Sequence, residues 1–66
     1  MPRLTISLLE GRSVEVKRKL AERLVSAVSE TLEVPPTAVS IAFDEYRPEN
    51  LVIGGVLACD KKKKEN

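Results

Sequence analysis

The strongest constraint on this chain is a stretch of helical period, Val14 to Leu32, enclosed by two stretches that alternate with a period of two. Val16, Leu20, Leu24, Ala27, Val28 and Leu32 recur at helical spacing and make one apolar stripe, while Lys17, Arg18, Glu22, Arg23, Ser26 and Glu30 mostly fall outside it. Ser13 is placed to cap the helix and Glu15 suits the positive end of its dipole. Pro35-Pro36 stops it, because proline supplies no backbone donor and restricts the residue before it. Ahead of the helix, Leu4, Ile6 and Leu8 alternate with Arg3, Thr5 and Ser7. Behind it, over 37–46, Val39, Ile41 and Phe43 alternate with Ala38, Ser40, Ala42 and Asp44. Each run reads as a strand with one face on a core. Strand, long helix and strand predict an α/β (α+β) unit of βαβ type, its strands parallel and its crossover right-handed. Arg47–Asn50 reads as a loop, and Leu51 to Leu57, with Gly54-Gly55 inside, as a short hairpin or arm that packs on a neighbour.

A single such unit is too small to stand alone. A core below about 70–80 residues seldom supplies enough stability without a staple. The single cysteine, Cys59, cannot form an internal disulfide, and with no histidine there is no zinc-type ligand set. Oligomerisation is the support that remains, and pairing bare strand edges across subunits is the natural way to achieve it. Residues 1–60 form one domain in this reading, and 61–66, which begin with four lysines, a disordered tail. The tail is also a candidate patch for nucleic acid or an acidic partner, although a solvated run is the plainer reading.

Charge and hydropathy narrow the partners. Eleven basic against ten acidic residues leave +1, so the body has no bias toward nucleic acid or a membrane surface. No run of residues has the length of a membrane span, and no secretory signal is evident. A lone thiol fits a reducing cytoplasm.

Pro2 is the residue with chemical promise. Aminopeptidases remove Met before a small residue such as proline, which would leave a free secondary amine at the head of the first strand. An unperturbed α-amino group titrates near ~8, and an apolar pocket or a nearby cation disfavours its protonated form. A neutral amine at pH 7 is what general base catalysis asks for. Proline in second position is also common in proteins with no such chemistry, so the weight falls on the residues around it.

Those residues carry a resemblance. Met1-Pro2, a strand, Leu9-Glu10-Gly11-Arg12-Ser13, a long helix, a second strand and Ile53-Gly54-Gly55 follow one another at the spacings of the 4-oxalocrotonate tautomerase family, almost to the end of the chain. The resemblance implies a βαβ protomer ending in a small hairpin, protomers paired into dimers, and three dimers in a hexamer. It implies enol–keto interconversion of small unsaturated 2-hydroxy (2-oxo) acids, a cytoplasmic isomerase of aromatic-compound catabolism with no cofactor and no metal. Pro2 matches the catalytic proline. Arg12 matches an arginine that binds a substrate carboxylate from a neighbouring subunit, for which a planar guanidinium is well shaped. Read without the family, Arg12 is a solvated turn residue or an ion-pair partner of Glu10 or Glu15.

This chain departs from the family pattern in two places. Ser40 stands where well-studied members carry a second arginine that polarises the substrate carbonyl and grips the adjacent carboxylate. Leu51 stands where they carry a phenylalanine, and it keeps that wall apolar, with Ile53 beside the glycine pair. Losing a charged oxyanion stabiliser commonly costs on the order of 10²–10³ in rate. Ser40 therefore predicts weak turnover of the dicarboxylate 2-hydroxymuconate, with a monoacid enol such as phenylenolpyruvate suffering less. Arg3 and Arg47 are the cations placed to substitute; each reads first as a surface residue. A partner subunit in a heterohexamer is the other source of the missing charge. The positions that serve hydrolytic dehalogenation elsewhere in the superfamily hold Leu9 and Ile53, which have no suitable side chain. A reading of another class, a non-catalytic oligomeric scaffold, follows if Met1 is retained, because an acylated Pro2 nitrogen has no basic lone pair.

Overall fold

The computed structural model describes residues 2–61, so Met1 and tail residues 62–66 lie outside the described residues. Strand β1 (Arg3–Leu9) runs parallel to β2 (Ser40–Tyr46), joined by the crossover helix α1 (Val14–Leu32). The register runs from Arg3 opposite Ser40 to Leu9 opposite Tyr46. A 3₁₀ turn at Pro48–Asn50 then leads into an arm. The arm comprises β3 (Val52–Ile53), antiparallel to β4 (Val56–Leu57), and a last helical turn, α2 (Ala58–Lys61). This is the expected α+β unit with its hairpin. Lys61, assigned to the tail by sequence, closes α2.

Local chemistry sets the helix boundaries. Ser13 is extended and its hydroxyl accepts the Val16 N–H at 3.2 Å, satisfying one of the first-turn donors. At the other end Glu33 takes the left-handed conformation, φ 58°, and the Val34 N–H donates to Ser29 O at 3.1 Å. The Ser29 hydroxyl in turn donates to the Val34 carbonyl. The second strand begins later than its alternation suggested. Pro36–Ala38 form a 3₁₀ turn, with Ala38 N–H donating to Pro35 O at 2.9 Å. Proline's fixed φ suits the opening of a helical turn better than a ladder in which its missing donor would leave a gap.

The helix covers one sheet face. Leu4, Ile6 and Leu8 of β1, Ile41 and Phe43 of β2, and Leu20, Ala21, Leu24, Val25 and Val28 of α1 are the half-buried residues of this layer. Val16, Ala27 and Leu32, which the apolar spacing assigned to the stripe, are exposed instead. Val16 and Ala27 sit about a quarter-turn off the covered face, at 3.6 residues per turn. Leu32 overhangs, because 19 helical residues extend about 28 Å while 7 strand residues extend about 23 Å. Lys17 occupies the covered side. Its ammonium lies 2.9 Å from both carboxylate oxygens of Glu45 at the end of β2, with side chains only 23% and 28% exposed. The aliphatic stem packs while the charge reaches its partner, a link worth about 1 kcal/mol.

No described residue is fully buried. Val14, Val16, Leu32, Val52, Ile53 and Val56 are all more than 40% exposed. The radius of gyration is 15.1 Å, against about 11 Å for a compact chain of this length. The described residues of the protomer close no core, so association is the expected source of stability. The thermal midpoint should fall by roughly 5 °C per tenfold dilution; a concentration-independent midpoint in calorimetry would show a self-sufficient monomer. A second expectation concerns Glu33, which bears a left-handed cost that glycine avoids. Glu33→Gly should stabilise the fold by about 0.5–1 kcal/mol, read as a rise in the urea midpoint.

Candidate active site

Parallel strands start at the same end of a sheet, and that places Pro2. Half-buried, it lies immediately before β1, and its carbonyl accepts the Ser40 N–H at 3.0 Å. Ser40 opens β2 directly opposite Arg3. Pro2, Arg3 and Ser40 therefore form one corner of the protomer. The Pro2 nitrogen has no hydrogen to give to a ladder.

Arg12 lies at the opposite end. Glu10 N–H donates to Tyr46 O at 2.9 Å, which closes the far end of the sheet, and Gly11 turns the chain with φ 128°, a conformation that suits glycine. Arg12 follows, exposed, with Nη1 donating to Leu9 O at 3.3 Å. It meets neither Glu10 nor Glu15: among the described residues no carboxylate lies within 4.0 Å of it, and Glu15 pairs with Arg18 at 3.0 Å. The guanidinium is thus unneutralised. A strand's length of about 23 Å separates it from Pro2, so the two cannot meet in one protomer.

Leu51 and Ile53 also follow the far end of β2. Leu51 is half-buried, and its carbonyl accepts the Ala58 N–H at 2.8 Å, which closes the base of the arm. Ile53 is 48% exposed. Between the arm strands Gly54 (φ 61°) and Gly55 (φ 84°) make a two-residue turn with both residues in the left-handed region, the requirement of a type I′ hairpin. The structure thus brings Pro2 to Ser40, and Leu51 near Ile53. Within one chain the Pro2–Ser40 corner and Arg12 lie at opposite ends of the sheet. Sequence reasoning passed over the direct pairing of Arg3 with Ser40, since register across parallel strands is a long-range property.

Elsewhere, an open groove of about 460 Å³ follows α1, lined by Ala21, Val25, Ser29 and Pro36 with Glu22, Ser26 and Glu30. None of the candidate residues lines it. Among the described residues no group of three or more His, Cys, Asp or Glu is arranged to hold a metal ion. No helix among them is long and apolar enough to cross a membrane.

Comparison with known proteins gives one pattern. Residues 2–61 match the family model described as tautomerase enzyme. The 2-hydroxymuconate tautomerase of Pseudomonas putida is 40% identical over 63 residues, covering 96% of this chain and all of that protein. A crystal structure of a 4-oxalocrotonate tautomerase homologue superposes with a TM-score of 0.88 at 40% identity, covering 96% of this chain and 100% of that one. A heterohexamer 4-oxalocrotonate tautomerase from Chloroflexus aurantiacus gives 0.86 at 34% identity, covering 94% and 100%.

Proposed function

The chain belongs to the tautomerase family, as a 4-oxalocrotonate tautomerase-type isomerase, and from this premise we propose that it interconverts enol and keto forms of small unsaturated 2-hydroxy (2-oxo) acids, with Pro2 as acid–base group. The observation that carries the reading is the Ser40 N–H bond to Pro2 O, which holds the proline at the sheet's end with its nitrogen outside the ladder. Removal of Met1 turns that nitrogen into a secondary amine. Its lone pair takes the proton of the substrate's 2-hydroxyl as the oxygen electrons close the carbonyl. The double bond shifts, and the proton passes from the ammonium to the carbon at the far end of the conjugated system. Nothing is oxidised or reduced, and the amine is regenerated. A pocket that excludes water favours the neutral amine and keeps the proton between enzyme and substrate.

The rest of the pocket comes from other copies in this reading. Arg12, unneutralised and a strand's length away from Pro2, is delivered by a neighbour and anchors a substrate carboxylate. Leu51 and Ile53, on an arm with little to pack against in its own chain, wall the pocket with apolar surface. Residues 1–60 are the functional domain, working as three dimers in a hexamer without a cofactor, and the exposed Cys59 thiol suits the cytoplasm. One observation favours a second form of the assembly. Ser40 has no charge to offer a carbonyl, and the Chloroflexus aurantiacus relative is a heterohexamer, so a partner subunit that supplies a cation is the alternative.

Pro2→Ala should lower kcat for ketonisation of phenylenolpyruvate by about 10²-fold or more, with intact mass of the wild-type chain showing Met1 absent. Arg12→Ala should act mainly on KM for 2-hydroxymuconate, raising it about tenfold or more, as for a lost hydrogen bond between charged groups. A full rate in Pro2→Ala would sink the mechanism whatever the fold.

A further inference from the structure

Accepting the tautomerase reading, we infer that Arg3 is the cation that meets the carboxylate beside the enol, in the place where Ser40 offers none. Four observations converge on it. Arg3 follows Pro2 in the chain, so its side chain starts within one residue of the reacting nitrogen. In the ladder it lies directly opposite Ser40, and neighbouring strands are about 4.8 Å apart, so a guanidinium on β1 can reach the space that the short serine leaves open on β2.

The third observation is the surface on which Arg3 stands. Alternation puts Arg3, Thr5 and Ser7 of β1 and Ser40, Ala42 and Asp44 of β2 on the sheet face away from α1, all exposed. Most of these side chains are small, which leaves the arginine stem room to swing toward Pro2. The fourth is its charge. No carboxylate among the described residues lies within 4.0 Å of Arg3. Asp44, the one acid on that face, is opposite Ser7, four residues or about 13 Å along the strand. Arg47, the other substitute that the sequence offers, is already paired with Glu49 at 3.5 Å and lies past the far end of β2.

Two substrate cations then come from different chains: Arg3 from the chain that bears the reacting proline, and Arg12 from a neighbour. Arg3 grips the carboxylate next to the 2-hydroxyl and, lying close to the developing carbonyl oxygen, favours the charge distribution of the keto form. Every 2-hydroxy acid has that carboxylate, so Arg3 serves monoacids and diacids alike. With Arg3 in place, 2-hydroxymuconate keeps two cationic contacts, and the bias toward monoacids expected from Ser40 alone narrows.

The test compares wild type with Arg3→Gln, which replaces the cation with a shorter neutral polar side chain, and Arg3→Lys, which keeps the charge. Each is checked for oligomer mass and far-ultraviolet circular dichroism. Ketonisation of phenylenolpyruvate should fall at least tenfold in kcat/KM for Arg3→Gln and by less for Arg3→Lys. Adding Ser40→Arg to Arg3→Gln should restore most of the rate, a rescue that a purely structural role for Arg3 would not give. Arg47→Ala should leave the rate as it is. In a readout free of turnover, calorimetric Kd for phenylpyruvate should rise at least tenfold in Arg3→Gln. Equal rates and equal Kd in wild type and Arg3→Gln, with Pro2→Ala inactive, would overturn the role of Arg3 and leave the tautomerase reading standing. A loss seen with Arg47→Ala in place of Arg3→Gln, or no phenylpyruvate binding by wild type, would also overturn it. An undiminished rate in Pro2→Ala would count against the tautomerase reading itself.

Discussion

Two parallel strands under one helix cannot close a core, and this shortage of interior governs the rest of the molecule. The helix half-covers Leu4, Ile6, Leu8, Ile41 and Phe43 on one face, and nothing in the protomer covers the other. The arm compounds the shortage by leaving Val52, Ile53 and Val56 between 42% and 59% exposed in their own chain. Apolar area of this kind stabilises only when removed from water, at roughly 25 cal/mol per Å². Association of copies would remove that area from water. The protomer's few internal ties, the Ser13 cap and the Lys17–Glu45 pair, orient α1 on the sheet more than they stabilise it.

The same topology divides the chemistry. A parallel pair sends both strand starts to one end, which fixes Pro2, Arg3 and Ser40 together. It sends both strand exits to the other, where Gly11-Arg12 and the arm leave the sheet. Pro2 and Arg12 flank the same strand, so the length of β1 alone keeps them apart, while the parallel pairing sets Ser40 at Pro2's end and sends the arm out at Arg12's end. Pro2, the proposed base, and the unneutralised guanidinium of Arg12 are held a sheet's length apart. In the proposed assembly, a subunit interface that brings one protomer's exit end to another's entry end would join them, so the contact that supplies the missing interior would also assemble the pocket.

Much of this was legible because it rests on local pattern. Ser13, the helix from Val14 to Leu32, the first strand and the parallel pairing follow from spacing and capping chemistry, and the structure has each as expected. The failures mark where local rules compete or end. Alternation continued through Thr37 and Ala38, but the two prolines favoured a 3₁₀ turn. The apolar spacing admitted Val16 and Ala27 to the stripe and left out Lys17, because it weighs hydrophobicity and cannot see that Glu45, twenty-eight residues away, awaits that ammonium. Glu33 carried no sign of its left-handed backbone, since glycine or asparagine usually marks that position. For the candidate site, residue identities were readable and their grouping was not. Ser40 could be seen to lack a charge, but only register shows which arginine faces it.

That register bears on what a lost arginine means. A guanidinium on β2 and one on the facing position of β1 start about 4.8 Å apart, less than the length of the side chain that carries them. To a substrate carboxylate in a shared pocket, the two positions differ in approach angle more than in distance. Coulombic attraction falls slowly over such a displacement, whereas bidentate hydrogen bonding is sensitive to direction. A charge moved from Ser40's position to Arg3's should therefore keep most of its attraction for the substrate's carboxylate and lose part of its geometric selectivity. A pocket so arranged would still gather 2-hydroxy acids but discriminate less among them by the shape of the remainder, which is left to the apolar wall of Leu51 and Ile53 and to the distance at which a neighbour presents Arg12.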